Sequence, residues 1–355
     1  MIKLPNLDAL RFFLASMVIV FHIPLLSKNV GLPYFNEISI FNRGIEAVYM
    51  FFVLSGFLII RLIYIEKNTG TFSIKKFYMR RILRIFPLYY LVLIFGFLFY
   101  HLILQIIGIP YQNNYPLKEG ILLTLFFLPN IFAELYKPGG ILEVLWSIGI
   151  EEQFYILIAP LLFLLQKKHI LQVLTFIAMV YFFVFHLASF SFLKTYSFVY
   201  FYLLIGGMVA ILEEKKKLEF LKSNKIFPIS IVVLVVLYFF TDFLVFKNDI
   251  LQNLITAILF SLFIHTISFN NWSFKIKNKL INYLGQISYG IYMYHIIILN
   301  FVVYIFIKIN NKNILNDVLT ILLINFLTFV FTIFVAHISF QYFEKPFLKL
   351  KNKFR

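Results

Sequence analysis

Residues Leu7 to Leu26 read LDALRFFLASMVIVFHIPLL. Twenty residues of this character at about 1.5 Å each match the roughly 30 Å hydrocarbon core of a bilayer, so the stretch is predicted to be a spanning helix. Arg11 stands near its start and His22 near its end. That spacing is close to three helical turns, which puts both on one face roughly 16 Å apart along the axis. Ionisable groups are costly in a spanning helix and usually face a protein interior or a wet cavity. The helix is therefore a candidate functional site; the plainer alternative is a polar histidine packed among its neighbours.

Outward from this helix the chain is of one kind. Hydrophobic residues make up 61%, with 47 Phe and 22 Tyr, and the mean hydropathy is +0.89. A soluble globular domain does not have that composition. Long apolar runs recur from end to end, so the fold class is all-α, a polytopic integral membrane protein. The alternating strands of about ten residues that mark a β-barrel are absent. The first segment carries Asp8, Arg11 and His22 and lacks a small-residue cleavage site, so it is expected to be retained and not removed as a signal peptide. Without cysteine there are no disulfides, no thiolate catalysis and no Cys-based metal site, and no metal site is expected.

The net charge is +16, and its distribution sets the topology. Basic residues cluster at 67–84, at 215–225, at Lys275, Lys277 and Lys279, and in a tail of Lys345, Lys349, Lys351, Lys353 and Arg355. The positive-inside rule puts all four on the cytoplasmic side. Anionic headgroups account for the basic balance, and no nucleic-acid partner is expected. Candidate spans are 7–26, 44–65, 85–107, 149–166, 169–187, 197–212, 228–246, 250–268, 287–308 and 317–342. The apolar patch 120–133 is too short to cross and contains Pro129. Parity counted from both ends makes it a re-entrant or interfacial segment. The result is ten spans in the cell (inner or plasma) membrane with both termini cytoplasmic. Residues 1–355 are expected to form a single transmembrane domain with no fused extracytoplasmic domain.

Several blocks carry chemistry. In the second span Glu46 is expected at the outer end, where His22 also falls; a carboxylate there would fix the imidazole tautomer. Ser55-Gly56 offers small residues for a close helix approach. In FYMRRILRIFPLYY, Arg80, Arg81 and Arg84 converge on one side of a helix, a guanidinium cluster suited to phosphate oxygens. The alternative for that run is a topology signal and lipid anchor. LWSIGIEEQFY opens another span with Trp146, Ser147, Glu151 and Gln153, a set able to face a sugar. Acids at a helix start are otherwise explained by the helix dipole. LGQISYGIYMYH puts Ser288, Tyr292 and His295 on one face. YFEKPF, with Glu344, closes the last helix, Pro346 being a natural terminator.

Taken in order with LDALRFFLASMVIVFH and FFVLSGFLI, these blocks run from residue 7 to 347. The chain resembles the acyltransferase family 3 proteins, integral-membrane O-acyltransferases that decorate cell-surface sugars and some small molecules. The family's ten-helix membrane domain agrees with the parity count. The resemblance implies an acyl-CoA donor, commonly acetyl-CoA, reaching the protein from the cytoplasm. It makes His22 the leading catalytic residue with Arg11 its partner, and it maps Arg80, Arg81 and Arg84 onto the motif that holds the donor's phosphates. Glu151 falls on the family's acid, with Trp146 beside it. One departure stands out: Tyr49 occupies the place of an acid, and either Glu46, one turn earlier, replaces it or the role is dispensable.

The activity so implied is transfer of an acyl group, most often acetyl, to a hydroxyl of a carbohydrate acceptor: a surface polysaccharide, its lipid-linked precursor or a glycoside. His22 would serve as general base or as nucleophile, with Glu46, Trp146, Ser147 and Gln153 at the acceptor and Ser288, His295 and Glu344 as secondary candidates. A transporter or flippase for a lipid-linked sugar would need polar residues through the mid-membrane and commonly inverted repeats, and neither is visible. A polysaccharide polymerase normally keeps a large outer loop, whereas the longest outer connection here, 108–148, is mostly apolar.

Overall fold

The computed structural model describes residues 4–310 and 316–354; of the residues singled out above, Arg355 lies outside them. The described residues form helices joined by turns, with no strand among them. In chain order the principal helices are α1 (Leu7–Asn29), α2 (Gly44–Asn68), α3 (Ile74–Leu98), α4 (Leu117–Leu125), α5 (Pro129–Tyr136), α6 (Trp146–Leu164) and α7 (Ile170–Phe185). There follow α8 (Tyr200–Glu214), α9 (Ile226–Phe240), α10 (Asp249–Phe269), α11 (Lys279–Gln286), α12 (Ser288–Asn310), α13 (Asp317–Ser339) and α14 (Lys345–Lys351).

Every one of the ten expected spans coincides with a helix. Among the described residues eight helices are long and apolar enough to cross a membrane, and α9 is a shorter apolar one. Both α8 and α9 have 15 residues, about 22 Å of helix, short of the roughly 30 Å hydrocarbon core. The patch expected at 120–133 is a pair of short helices, α4 and α5, broken at Phe127, whose φ is 59°.

Two boundaries differ from expectation. α3 begins at Ile74, not 85, because Ser73 caps it by accepting from the Lys76 amide. The helix thus includes Arg80, Arg81 and Arg84 ahead of the expected span. Pro346 does not end the last helix. α13 stops at Ser339, a π-type turn covers Phe340–Glu344, and α14 starts with Pro346 in its first turn. A proline in that position has no amide bond to lose, so it opens a helix as readily as it closes one.

The chain divides into two compact units, Met1–Leu58 with Ile205–Phe340 and Ile59–Leu204 with Gln341–Arg355. In the first, α1 packs on α11, α12 and α13, and α9 on α10. Close approach depends on glycine: a Cβ on Gly285 would run into the Asp8 backbone, and one on Gly206 into the Val53 carbonyl. Asn6, in the left-handed region with φ 62°, fixes the entrance of α1. Its Nδ2 donates to the Ile267 and Phe274 carbonyls at 2.9 and 2.8 Å, and its Oδ1 accepts from the Ile276 amide at 2.8 Å.

In the second unit α3 packs against α6 and α14. Lys67 Nζ donates to the carbonyls of Leu162, Phe163 and Leu165 at the end of α6, where the helix dipole favours a cation. The Gly149 position on α6 leaves room only for Pro129 and the Phe127 carbonyl.

Candidate active site

Within the first unit, the residues that meet are His22 of α1 and His295 of α12. His22 lies one turn after Val18, and its Nδ1 is 2.8 Å from the Val18 carbonyl oxygen. Only a protonated Nδ1 makes that contact favourable, since two lone pairs at this distance would repel. His295 Nδ1 makes the same kind of bond to the Tyr292 carbonyl three residues back. Its Nε2 therefore carries a lone pair when the ring is neutral, and that atom lies 3.2 Å from His22 Nδ1. The tautomers, assigned from these partners, leave His22 with Nδ1–H shared between Val18 O and His295 Nε2. His22 Nε2 has no hydrogen-bond partner among the described residues. The ring centroids are 4.9 Å apart at 56°, and Phe21 meets His22 edge-on. His295 is fully buried, whereas His22 keeps some exposure.

The partners expected for His22 are engaged elsewhere. Arg11 Nη1 donates to Asp8 Oδ1 at 2.9 Å; eleven residues of helix, about 16 Å, separate it from His22, and the structure does not bring the two together. Glu46 accepts from Arg43 Nη1 at 3.0 Å, and Arg43 Nη2 donates to Asp242 at 2.8 Å beneath the Tyr238 ring. The part expected of Glu46, orienting the imidazole, is taken by Val18 O and His295. Tyr49 is within electrostatic reach of Glu46 and Tyr238. Ser288, buried, opens α12, but the polar partner that His295 finds is His22.

The three arginines of the second unit divide. Arg80 is buried and bonded within the protein through two of its nitrogens: Nη2 donates to Glu66 at 2.9 Å and Nη1 to the Phe354 carbonyl at 3.1 Å. Arg81 and Arg84 are half-buried and make no ion pair among the described residues. Arg81 is in the electrostatic field of Glu152 and Tyr155. Glu152, only 4% exposed, has an Oε1 without a hydrogen-bond partner.

Glu152 was not among the sequence candidates. Its neighbour Glu151, which the resemblance maps onto the family's acid, accepts from its own helix, from Tyr155 Oη at 2.8 Å. Adjacent helical residues point about 100° apart, and a sequence does not say which of the pair turns inward. Gln153 is committed as well: Nε2 donates to Phe127 O at 2.6 Å and Asn130 Oδ1 at 2.8 Å, and Oε1 accepts from Tyr200 Oη. Its amide ties α6 to the α4–α5 segment and to the start of α8. Trp146, half-buried, and Ser147, buried, open α6. Glu344 is buried in the π-type turn before α14.

The chain is similar to several bacterial proteins. It is 24% identical to a Staphylococcus aureus (strain COL) protein provisionally named an O-acetyltransferase, over 98% of this chain and 57% of the relative. It is 27% identical to the Bacillus subtilis (strain 168) protein YrhL, provisionally named a peptidoglycan O-acetyltransferase, over 97% of this chain and 54% of the relative. An uncharacterised Haemophilus influenzae protein is 30% identical over 62% of this chain and 98% of its own length. The chain thus spans little more than half the length of the first two. No solved structure matches it. The family model described as an acyltransferase domain matches residues 4–338, and the chain belongs to that family, acyltransferase family 3.

Proposed function

We propose that this protein is a membrane O-acyltransferase that moves an acyl group, most often acetyl, from acyl-CoA on the cytoplasmic side to a hydroxyl of a cell-envelope carbohydrate. Family membership supports the reaction class, and the name of the Bacillus relative supports a glycan as acceptor. The observation that carries the reading is the unpartnered Nε2 of His22 on a ring whose Nδ1 is already held. A general base needs that arrangement, and such a base is typically worth about 10²–10⁴-fold in rate.

In the proposed reaction His22 Nε2 takes the proton of the acceptor hydroxyl as its oxygen attacks the thioester carbon. The C–S bond breaks, and the proton passes to the departing sulfur. Arg81 and Arg84, whose guanidinium donors are not taken by an acid, hold the donor's phosphates, while Arg80 supports the helix that carries them. The unpartnered Oε1 of Glu152, in whose field Arg81 lies, supports a role in accepting from an amide or hydroxyl of the donor.

The test is transfer from labelled acetyl-CoA by membranes containing the protein, together with mass spectrometry of surface glycans for an acetyl increment. His22→Ala is expected to abolish both signals while the protein still accumulates in the membrane. Near-normal transfer by that variant would remove His22 from the mechanism.

A further inference from the structure

The reading above leaves His295 without a task, although it is the most deeply buried imidazole in contact with His22. We infer that His295 is the positioning residue of the reaction: its Nε2 lone pair holds the Nδ1–H of His22 and stabilises the charge that forms on the His22 ring. The inference rests on His22 being the base.

Three features of the geometry support it. First, the bond from His295 Nδ1–H to the Tyr292 carbonyl fixes which nitrogen faces His22. His295 is fully buried, so without His22 its Nε2 would be a desolvated lone pair with nothing to accept from. Second, the 3.2 Å separation joins nitrogen to nitrogen. Two rings that merely packed together would not need their nitrogens to meet. Third, no carboxylate contacts either ring among the described residues. The orienting group that an acid provides in many acid–base sites is here a neutral imidazole. That choice suits a spanning helix, where a permanent charge is costly to bury. His295 is uncharged in the resting state and becomes the partner of a cation only while His22 carries the proton.

The proton balance is closed. When the acceptor O–H bond breaks, its proton joins His22 Nε2, and the ring becomes an imidazolium whose Nδ1–H points at His295 Nε2. That bond is then charge-assisted, and such bonds are roughly twice as strong as neutral ones. Protonation of the departing thiolate by His22 Nε2 restores the resting pair. The pair thus strengthens its bond when charge develops and relaxes afterwards, the differential interaction that raises kcat without changing ground-state binding.

The experiment has two arms. In the first, the full chain in membranes is assayed with acetyl-CoA as donor and a soluble peptidoglycan disaccharide as acceptor. His295→Phe fills the volume but offers no acceptor, and is expected to lower kcat at least a hundredfold with KM for acetyl-CoA within about threefold. His295→Gln places an oxygen near the lost nitrogen and is expected to recover at least tenfold of that loss. The pH profile of kcat should be displaced in the Phe variant and restored by Gln. Equal losses in both variants with an unmoved profile would reduce His295 to packing and overturn the proposal.

The second arm needs neither substrate nor variant. Nitrogen-15 spectra of the parent protein in bilayers report which ring nitrogens of His22 and His295 carry hydrogen. Protonated Nδ1 and bare Nε2 on both rings are expected; a protonated Nε2 on neutral His22 would overturn the proposal. A parent protein that shows the expected spectra but transfers no acetyl group would instead count against the reading of function, which separates the two failures.

Discussion

Arg80 closes on Glu66 at 2.9 Å, an ion pair that sets it apart from its clustered neighbours Arg81 and Arg84. The two side chains are 8% and 17% exposed, so removing either one leaves its partner buried without a counter-ion. Arg81 and Arg84, on the same helix, have no such acid at contact distance among the described residues. The cluster is therefore predicted to behave as one structural arginine and two ligand-facing ones.

Arg81→Ala and Arg84→Ala are expected to raise KM for acyl-CoA tenfold or more while accumulation in the membrane stays near normal. Arg80→Ala is expected to do the reverse, lowering accumulation by stranding Glu66 at a cost of about 3 kcal/mol. Replacing Arg80 and Glu66 together by Met should restore much of the lost stability, since the penalty comes from the unpaired partner. Kinetics paired with thermal melting in detergent decides this. Equal KM effects at all three positions would show that Arg80 also binds the donor.

Gln153 offers a sharper contrast between two roles. With Phe127 O, Asn130 Oδ1 and Tyr200 Oη all engaged by its amide, Gln153→Leu should loosen the α4–α5 segment. The buried groups left unsatisfied cost about 1–3 kcal/mol each. Limited proteolysis between residues 126 and 139 should speed up. A variant that raises only the KM for acceptor, with unchanged proteolysis, would return Gln153 to the acceptor site.

Gly285 is expected to tolerate nothing larger. Its Cα faces the Asp8 backbone where α1 and α11 cross. Gly285→Ala forces the helices apart at a cost of about 1–3 kcal/mol, and Gly285→Val more. The melting temperature in detergent should fall in that order, and an unchanged value for Val would contradict the crossing.

Beyond the expected span 197–212, Glu213 accepts from His265 Nε2 at 2.9 Å and pairs with Lys222. Burial opposes its charge, but the donors of His265 and Lys222 outweigh that and hold its carboxyl below the ordinary carboxylate range. Lys222 is likewise desolvated, yet Glu213 and Glu219 raise it above the usual lysine value. A lowered carboxyl contributes stability that is present at neutral pH and lost as pH falls through its folded value. A raised lysine contributes stability that is lost only as pH climbs through its own folded value, above about 10.4. Thermal stability should therefore be flat through the neutral range and fall in acid, and Glu213→Gln should remove most of the acid decline. An acid limb unchanged in that variant would assign the decline to other carboxyls.

Much of this protein could be read from residue types and their spacing, because a bilayer asks so few things of a helix. Length and apolarity placed ten helices, and a short patch holding Pro129 appeared as a broken pair. Local spacing also placed the polar stripe of α1 and the one-turn relation between Tyr292 and His295. The boundaries that were misjudged, at Ile74 and Pro346, turned on capping, where one residue type serves both to open and to close a helix.

What determined itself from sequence alone was thus the class of fold, the family and the short list of groups capable of the chemistry. The tertiary structure decided which of those groups meet. His22 and His295 are 273 positions apart, and Arg43 finds Asp242 across 199; no periodicity along one helix specifies the rotation of another. Helical phase selected Glu152 over Glu151 for burial, while nearby partners drew Arg11 and Glu46 into local bonds and Gln153 into bonds with neighbouring helices. Partner choice among polar groups in a low-dielectric interior is settled by distances of a few ångströms, which packing sets and spacing does not.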